Sequence, residues 1–298
     1  MRVEFALTFG YGGVRKHCFS GHRAKPRIGL HPPIRRIATP HETSMETALS
    51  TRVKVFWQPG CSSCLRTKEF LTKHGVDFES IDVHGNADGM AQLRALGARS
   101  VPVVSIGNKY TLCQSFDDVV AFLGLNVKLS ERLAPEDLVA KLDVVLLAAA
   151  RYTVQFPSDK LRLFFRERKR SAADTAFHVF RVAEMGLEAA HLKELEFASF
   201  DDLPPEEWTA QQIADWGLSV RERFASWWST CQDRSMQFKV PTYYGHHTMH
   251  NVMERTTWHA AQHTRQLMLM LDDYGVAVDR PLTPDDLKGL PLPDKVWG

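Results

Sequence analysis

The sequence predicts a two-domain chain, an α/β domain over residues 51–125 followed by an all-α four-helix bundle over residues 134–275. Three observations carry this. Short apolar strands alternate with helical stretches up to about residue 125. Long segments with helical hydrophobic spacing take over from about Pro135. Gly and Pro punctuate the joints between them. At 298 residues and 44% hydrophobic content the chain can bury more than one core.

In the first region, Val53–Trp57 and Phe78–Asp82 read as strands, and Ser62–His74 and Ala87–Leu96 as helices, the second closed by Gly97. Val103–Ile106 and Tyr110–Leu112 form a hairpin about Gly107-Asn108. A last helix, Phe116–Leu123, ends at Gly124. In the second region no strand is expected. Leu138, Leu142, Val145, Leu146 and Ala149 mark one face of a first helix. Helices follow over Ala172–Leu192, Ala210–Cys231 and Thr248–Tyr274, which suggests a four-helix bundle with one or two long crossovers. Residues 276–298 read as a proline-rich C-terminal extension.

The net charge of +2 is unevenly spread, because residues 1–44 hold eight Lys/Arg against two Asp/Glu. That basic leader has no helical or strand periodicity and is expected to be disordered, with Met45 an alternative start. The near-neutral remainder carries no electrostatic footprint for nucleic acid. No apolar run approaches the ~20 residues that span a bilayer, so no membrane partner is expected. Five cysteines with a single close CxxC pair point to a reducing, cytoplasmic setting and to redox chemistry instead of a disulfide framework.

That pair is Cys61-Ser62-Ser63-Cys64, between the first strand and the first helix. At a helix N-terminus, free N–H groups and the positive end of the dipole stabilise a thiolate, so Cys61 is the expected nucleophile and Cys64 the resolving thiol. CxxC is also half a zinc site, but no second ligand pair follows at ribbon-like spacing. Cys113 reads as a small buried residue.

Residues 51–125 resemble a glutaredoxin, and in particular the NrdH-type redoxins. The likeness rests on Pro59–Cys64, Thr67-Lys68, Gly75–Glu79 and Ser100-Val101-Pro102-Val103-Val104. The resemblance implies a thioredoxin-like fold, a cis Pro102 facing the dithiol, and substrate contact through Val101 and Pro102. Where many glutaredoxins carry a Gly-Gly-Asp-like turn for glutathione, this chain has Cys113-Gln114-Ser115-Phe116-Asp117-Asp118, with Asp117 or Asp118 placed to cap the last helix.

On the fourth bundle helix, His259 and His263 are four residues apart and share a face. HxxxH alone is weak, and a lone His178 in an apolar helix is ordinarily a satisfied core residue. Three histidines converging inside a bundle would instead make a metal site with open positions. His246, His247 and His250 are read as non-ligands, His250 being half a turn out of phase with His259. Arg265 and Gln266 are placed to touch the site or to pack. The basic run Arg166–Arg170 reads as a solvated lead-in to the second helix, with an anionic ligand the sharper alternative.

Residues 134–275 resemble the DinB-like four-helix metalloproteins, on the His178 segment and on Trp258-His259…His263…Arg265-Gln266-Leu267. The resemblance implies that His178, His259 and His263 hold a divalent ion, zinc or nickel. It also implies thiol-dependent transferase or isomerase chemistry with glutathione or another low-molecular-weight thiol. The expected partners are a small thiol with an electrophilic small molecule, or a protein disulfide. A homodimer is compatible with this reading.

Overall fold

The computed structural model describes residues 52–166 and 168–297, all within one compact unit. The basic leader over 1–44 lies outside the described residues.

Residues 53–123 form a four-stranded sheet with helices. The strands are β1 (Val53–Trp57), β2 (Phe78–Asp82), β3 (Val103–Ile106) and β4 (Lys109–Leu112), and the helices are α1 (Ser62–Lys73), α2 (Ala87–Ala95) and α3 (Phe116–Leu123). The sheet order is β2-β1-β3-β4. β1 and β2 are parallel, with Val53 opposite Phe78, and the two pairs involving β3 are antiparallel. This is the thioredoxin-like arrangement. β1 is apolar on both faces because both are covered. Phe56 packs with Ile81, Leu93 and Val103 on one side, and Val55 packs with Leu71, Val104 and Val119 on the other. Helix ends follow the sequence: Asn86 caps α2 through its side chain, and Gly124 takes the left-handed conformation after α3. Neither Asp117 nor Asp118 caps α3. The N-cap is Ser115 and makes no side-chain cap bond. Asp117 is instead paired with Arg132, and Asp118 lies 3.6 Å from His247.

The second region is a bundle of α4 (Pro135–Thr153), α5 (Ala172–Ala190), α6 (Ala210–Thr230) and α7 (Met249–Asp273). α4 and α5 each pack mainly on α6 and α7, so consecutive helices α4 and α5 face each other mostly across the bundle. Its core is led by Leu138, Leu142, Leu146, Phe180, Ile213, Met253 and Trp258. Small residues set the closest approach: a Cβ at Gly186 on α5 would lie 2.8 Å from Thr256 Oγ1 on α7. A capping box at Ser171 fixes the start of α5 and another at Thr209 the start of α6.

The expectation of no strand after Pro135 is corrected. β5 (Lys239–Thr242) and β6 (Gly245–Thr248) form a hairpin that runs directly into α7. Lys239-Val-Pro-Thr lacks strong alternation and contains a proline, which hides it from pattern reading. The C-terminal extension is packed, with a short helix α8 (Pro284–Leu287). Among the described residues no helix is long and apolar enough to cross a membrane.

Candidate functional site

Cys61 is the N-cap of α1, and Gly60 before it adopts φ +69°, a left-handed turn that a side chain would strain. The Cys64 N–H donates to Cys61 Sγ at 3.2 Å, and the two sulfurs are joined in a disulfide with Cα atoms 5.2 Å apart. Cys61 is half-buried and lines a cleft of about 1830 Å³, whereas Cys64 is 1% exposed. The Val101–Pro102 peptide is cis, and Val101 belongs to the apolar cluster that holds Cys64 and touches Cys61. Cys113 is buried, and burial pushes its thiol up to about 12.

The three predicted histidines also come together. His178 on α5 and His259 and His263 on α7 each offer a nitrogen, and these atoms lie within 4.8 Å of one another. All three side chains are buried. Burial, with Arg170 and Arg168 nearby, holds all three imidazoles well below their ordinary pKa, so they are neutral at pH 7. Gln266 sets the tautomer of His263. Its Nε2 donates to the Val296 carbonyl at 3.1 Å, so its Oε1, 2.7 Å from His263 Nδ1, must be the acceptor. His263 Nδ1 therefore carries the proton and Nε2 the lone pair, aimed at His259 Nε2 at 3.0 Å. Two nitrogens bound to one ion at about 2.0–2.1 Å and 90–110° stand about 2.9–3.4 Å apart, so this spacing fits a shared ion. Nδ1 of His178 and of His259 is buried with no partner among the described residues. The residues present therefore fit a three-histidine metal centre.

The other nearby candidates do something else. His250 Nε2 lies 2.8 Å from the Leu133 carbonyl. Arg265 donates to the carbonyls of Pro293 and Asp294 and so anchors the C-terminal extension. The solvated reading of the Arg166–Arg170 run is corrected at Arg168, whose Nη1 is buried. Position in the run gave no sign of this; the Arg168 stem packs against Gly60, over a hundred residues away.

The two sites lie on either side of one short stretch of α7. Trp258 stacks on His259 with ring centroids 5.4 Å apart, and the Arg66 guanidinium of α1 lies 4.5 Å from the Trp258 ring centroid. Arg255 donates to Gln114 Oε1 at 3.1 Å, and its guanidinium covers Phe200, which itself stacks on His259. The extension adds a further tie: the N–H groups of Asp294 and Lys295 donate to the Glu69 carboxylate of α1, while Gln262 of α7 donates to the Lys295 and Val296 carbonyls.

The glutaredoxin family model matches residues 53–111. The chain is 35% identical over 57 residues to the glutaredoxin-like protein NrdH of Escherichia coli (strain K12), covering 19% of this chain and 70% of that protein. Through this segment the chain belongs to the glutaredoxin family. The glutaredoxin domain is also 43% identical over 53 residues to the Gene 56 protein of Mycobacterium phage L5, covering 17% of this chain and 52% of that protein. Glutaredoxin-C6 of Oryza sativa subsp. japonica is 35% identical over 69 residues, covering 22% of this chain and 62% of that protein. The chain thus spans about half to three fifths of the length of some of these relatives. No solved structure matches the chain. The family match ends at residue 111, and the bundle lies outside it.

Proposed function

We propose that the chain couples a glutaredoxin-type dithiol–disulfide oxidoreductase to a metal-dependent, thiol-using transferase or isomerase of the DinB-like kind. The observation that carries the second half is the convergence of His178, His259 and His263 at one buried point.

In the glutaredoxin domain the Cys61 thiolate attacks one sulfur of a substrate disulfide, and the other half leaves as a thiolate. Cys64 then attacks Cys61 Sγ, expels the remaining half and closes the Cys61–Cys64 bond. The helix N-terminus favours the attacking thiolate, and the deeper burial of Cys64 keeps it for the second step. Val101 and cis Pro102 form the wall against which the substrate sulfur is held.

In the bundle, His178, His259 and His263 would hold a divalent ion, zinc or nickel, which when bound supplies a Lewis acid that lowers the pKa of a coordinated thiol. Gln266 orients His263, while Phe200 and Trp258 stack on His259 and exclude water. The co-substrate is glutathione or another low-molecular-weight thiol, with an electrophilic small molecule as its acceptor. A second reading makes the bundle a non-catalytic binding or sensor module for a protein disulfide, and the Arg255–Gln114 and Glu69 ties favour it.

Metal analysis of the purified full chain tests the proposal. One equivalent of zinc or nickel in the parent, lost in His178→Ala and in His259→Ala, is the expected result. Unchanged content in both variants eliminates the ligand set and leaves the binding-module reading.

A further inference from the structure

The ring of His259 is held differently from that of His263. His263 has the Gln266 amide oxygen as a fixed acceptor for its Nδ1 proton. His259 presents its Nε2 to His263 Nε2 at 3.0 Å, and its Nδ1 is buried with no partner among the described residues. A metal-binding imidazole ordinarily has its orientation set by a hydrogen bond on the second nitrogen. For His259 flat groups take that part. The Trp258 and Phe200 rings lie nearly parallel to it, tilted by 15° and 13°, with centroids 5.4 and 5.8 Å away.

Each of these planes carries a guanidinium, and each guanidinium is keyed to the glutaredoxin domain. Arg66 of α1 lies 4.5 Å from the Trp258 ring centroid and 3.9 Å from that of Phe116 on α3. Arg255 of α7 lies 4.7 Å from the Phe200 centroid. Its Nε donates to Gln114 Oε1 at 3.1 Å and its Nη2 to the Tyr243 hydroxyl at 3.2 Å. Gln114 sits in the loop between β4 and α3. Arg66, Gln114 and Arg255 are all buried, and a planar guanidinium against an aromatic face is strongest where water is excluded.

We infer that Arg66 and Gln114 are positioning residues of the three-histidine centre. From the glutaredoxin domain they hold Trp258 and, through Arg255, Phe200 against the His259 ring, and so keep its Nε2 aimed at the point it shares with His178 and His263. The inference rests on the metal reading above and makes the glutaredoxin domain a structural part of that centre. The sign of the effect separates positioning from charge. A nearby cation repels a divalent ion, so removing the Arg66 charge would by Coulomb's law alone tighten zinc binding, whereas loosening the ring weakens it.

The test measures zinc affinity by competition with a chromophoric chelator. It uses the full chain in its disulfide form, which keeps Cys61 and Cys64 from taking the ion. The cobalt(II)-substituted chain supplies a ligand-field spectrum, and circular dichroism establishes that each variant is folded. Arg66→Met and Gln114→Leu should each bind one equivalent of zinc about tenfold more weakly than the parent, the scale of a lost outer partner of a metal ligand. Their cobalt bands should shift. Gln114→Glu, which keeps an acceptor for Arg255, should bind zinc at least as tightly as the parent. Lys68→Met removes the cation 3.7 Å from the Trp57 ring centroid on the same helix and should leave affinity and spectrum at the parent values. A role confined to packing the domains together lowers the urea midpoint and leaves zinc affinity and cobalt spectrum unmoved, which overturns the inference. Tighter zinc binding by Arg66→Met, or an equal loss in Lys68→Met, also overturns it. A parent that binds no zinc overturns the metal reading itself.

Discussion

Replacing Gln266 by Leu tests the three-histidine centre without touching a ligand. Gln266 is 2% exposed and its Oε1 accepts from His263 Nδ1 at 2.7 Å. Leu keeps roughly the volume and removes the acceptor. A buried imidazole N–H left without a partner costs about 1–3 kcal/mol, and the ring escapes that cost by turning or by moving its proton to Nε2. Either response withdraws the lone pair that now points at His259 Nε2. Binding an ion must then reverse it, so zinc affinity should fall about 10–100-fold, or about 1.4–2.7 kcal/mol. The assay is zinc competition against a chromophoric chelator at fixed pH, with circular dichroism to establish that the bundle is intact. Gln266→Glu retains an acceptor for Nδ1 and should lose far less than Gln266→Leu. Parent-like zinc affinity in a folded Gln266→Leu chain would refute the assignment of Nε2 as the ligand atom of His263.

Four further outcomes follow from the same contacts. Cys113, with its thiol pushed up to about 12, stays protonated at pH 8 and should resist iodoacetamide in the folded chain while half-buried Cys231 reacts; equal labelling rates by mass mapping would contradict this. Ser171→Ala removes the capping box that starts α5 and should cost about 0.5–2 kcal/mol in urea unfolding, an unshifted midpoint counting against it. Glu69→Ala frees the backbone N–H groups of Asp294 and Lys295, so hydrogen exchange over 290–297 should accelerate, and unchanged protection would show that the Arg265 and Gln262 contacts suffice. His250→Ala should leave zinc stoichiometry unchanged, since its ring faces the Leu133 carbonyl; loss of the ion would bring His250 into the ligand set.

What could be read from the sequence follows how far each feature depends on chain-local information. The glutaredoxin sheet was legible because its strands are short apolar runs bounded by glycine, and the dithiol because CxxC sits where a strand gives way to a helix. The His259–His263 pair was legible because a four-residue spacing on a helix fixes a shared face whatever else the fold does. Bringing His178 to them needed α5 to pack on α7, a tertiary fact that the three-residue context of His178 only hinted at. The β5–β6 hairpin was missed because its two four-residue strands are too short and too polar, and carry a proline, for their alternation to stand out. It is held by its own turn and by Leu195, whose carbonyl accepts from the Tyr243 N–H at 3.0 Å.

The arginines show the limit most clearly. In sequence, Arg66 is one charge on an amphipathic helix and Arg168 one of several in a basic run, and solvation is the ordinary fate of both. Arg66 meets the bundle at Trp258, and the Arg168 stem meets the glutaredoxin domain at Gly60. An aromatic residue adjacent to a histidine carried no visible message in the string Trp258-His259, yet it lies between the α1 guanidinium and the histidine cluster. Residues that join two sites answer to both partners at once, so neither domain's own pattern exposes them.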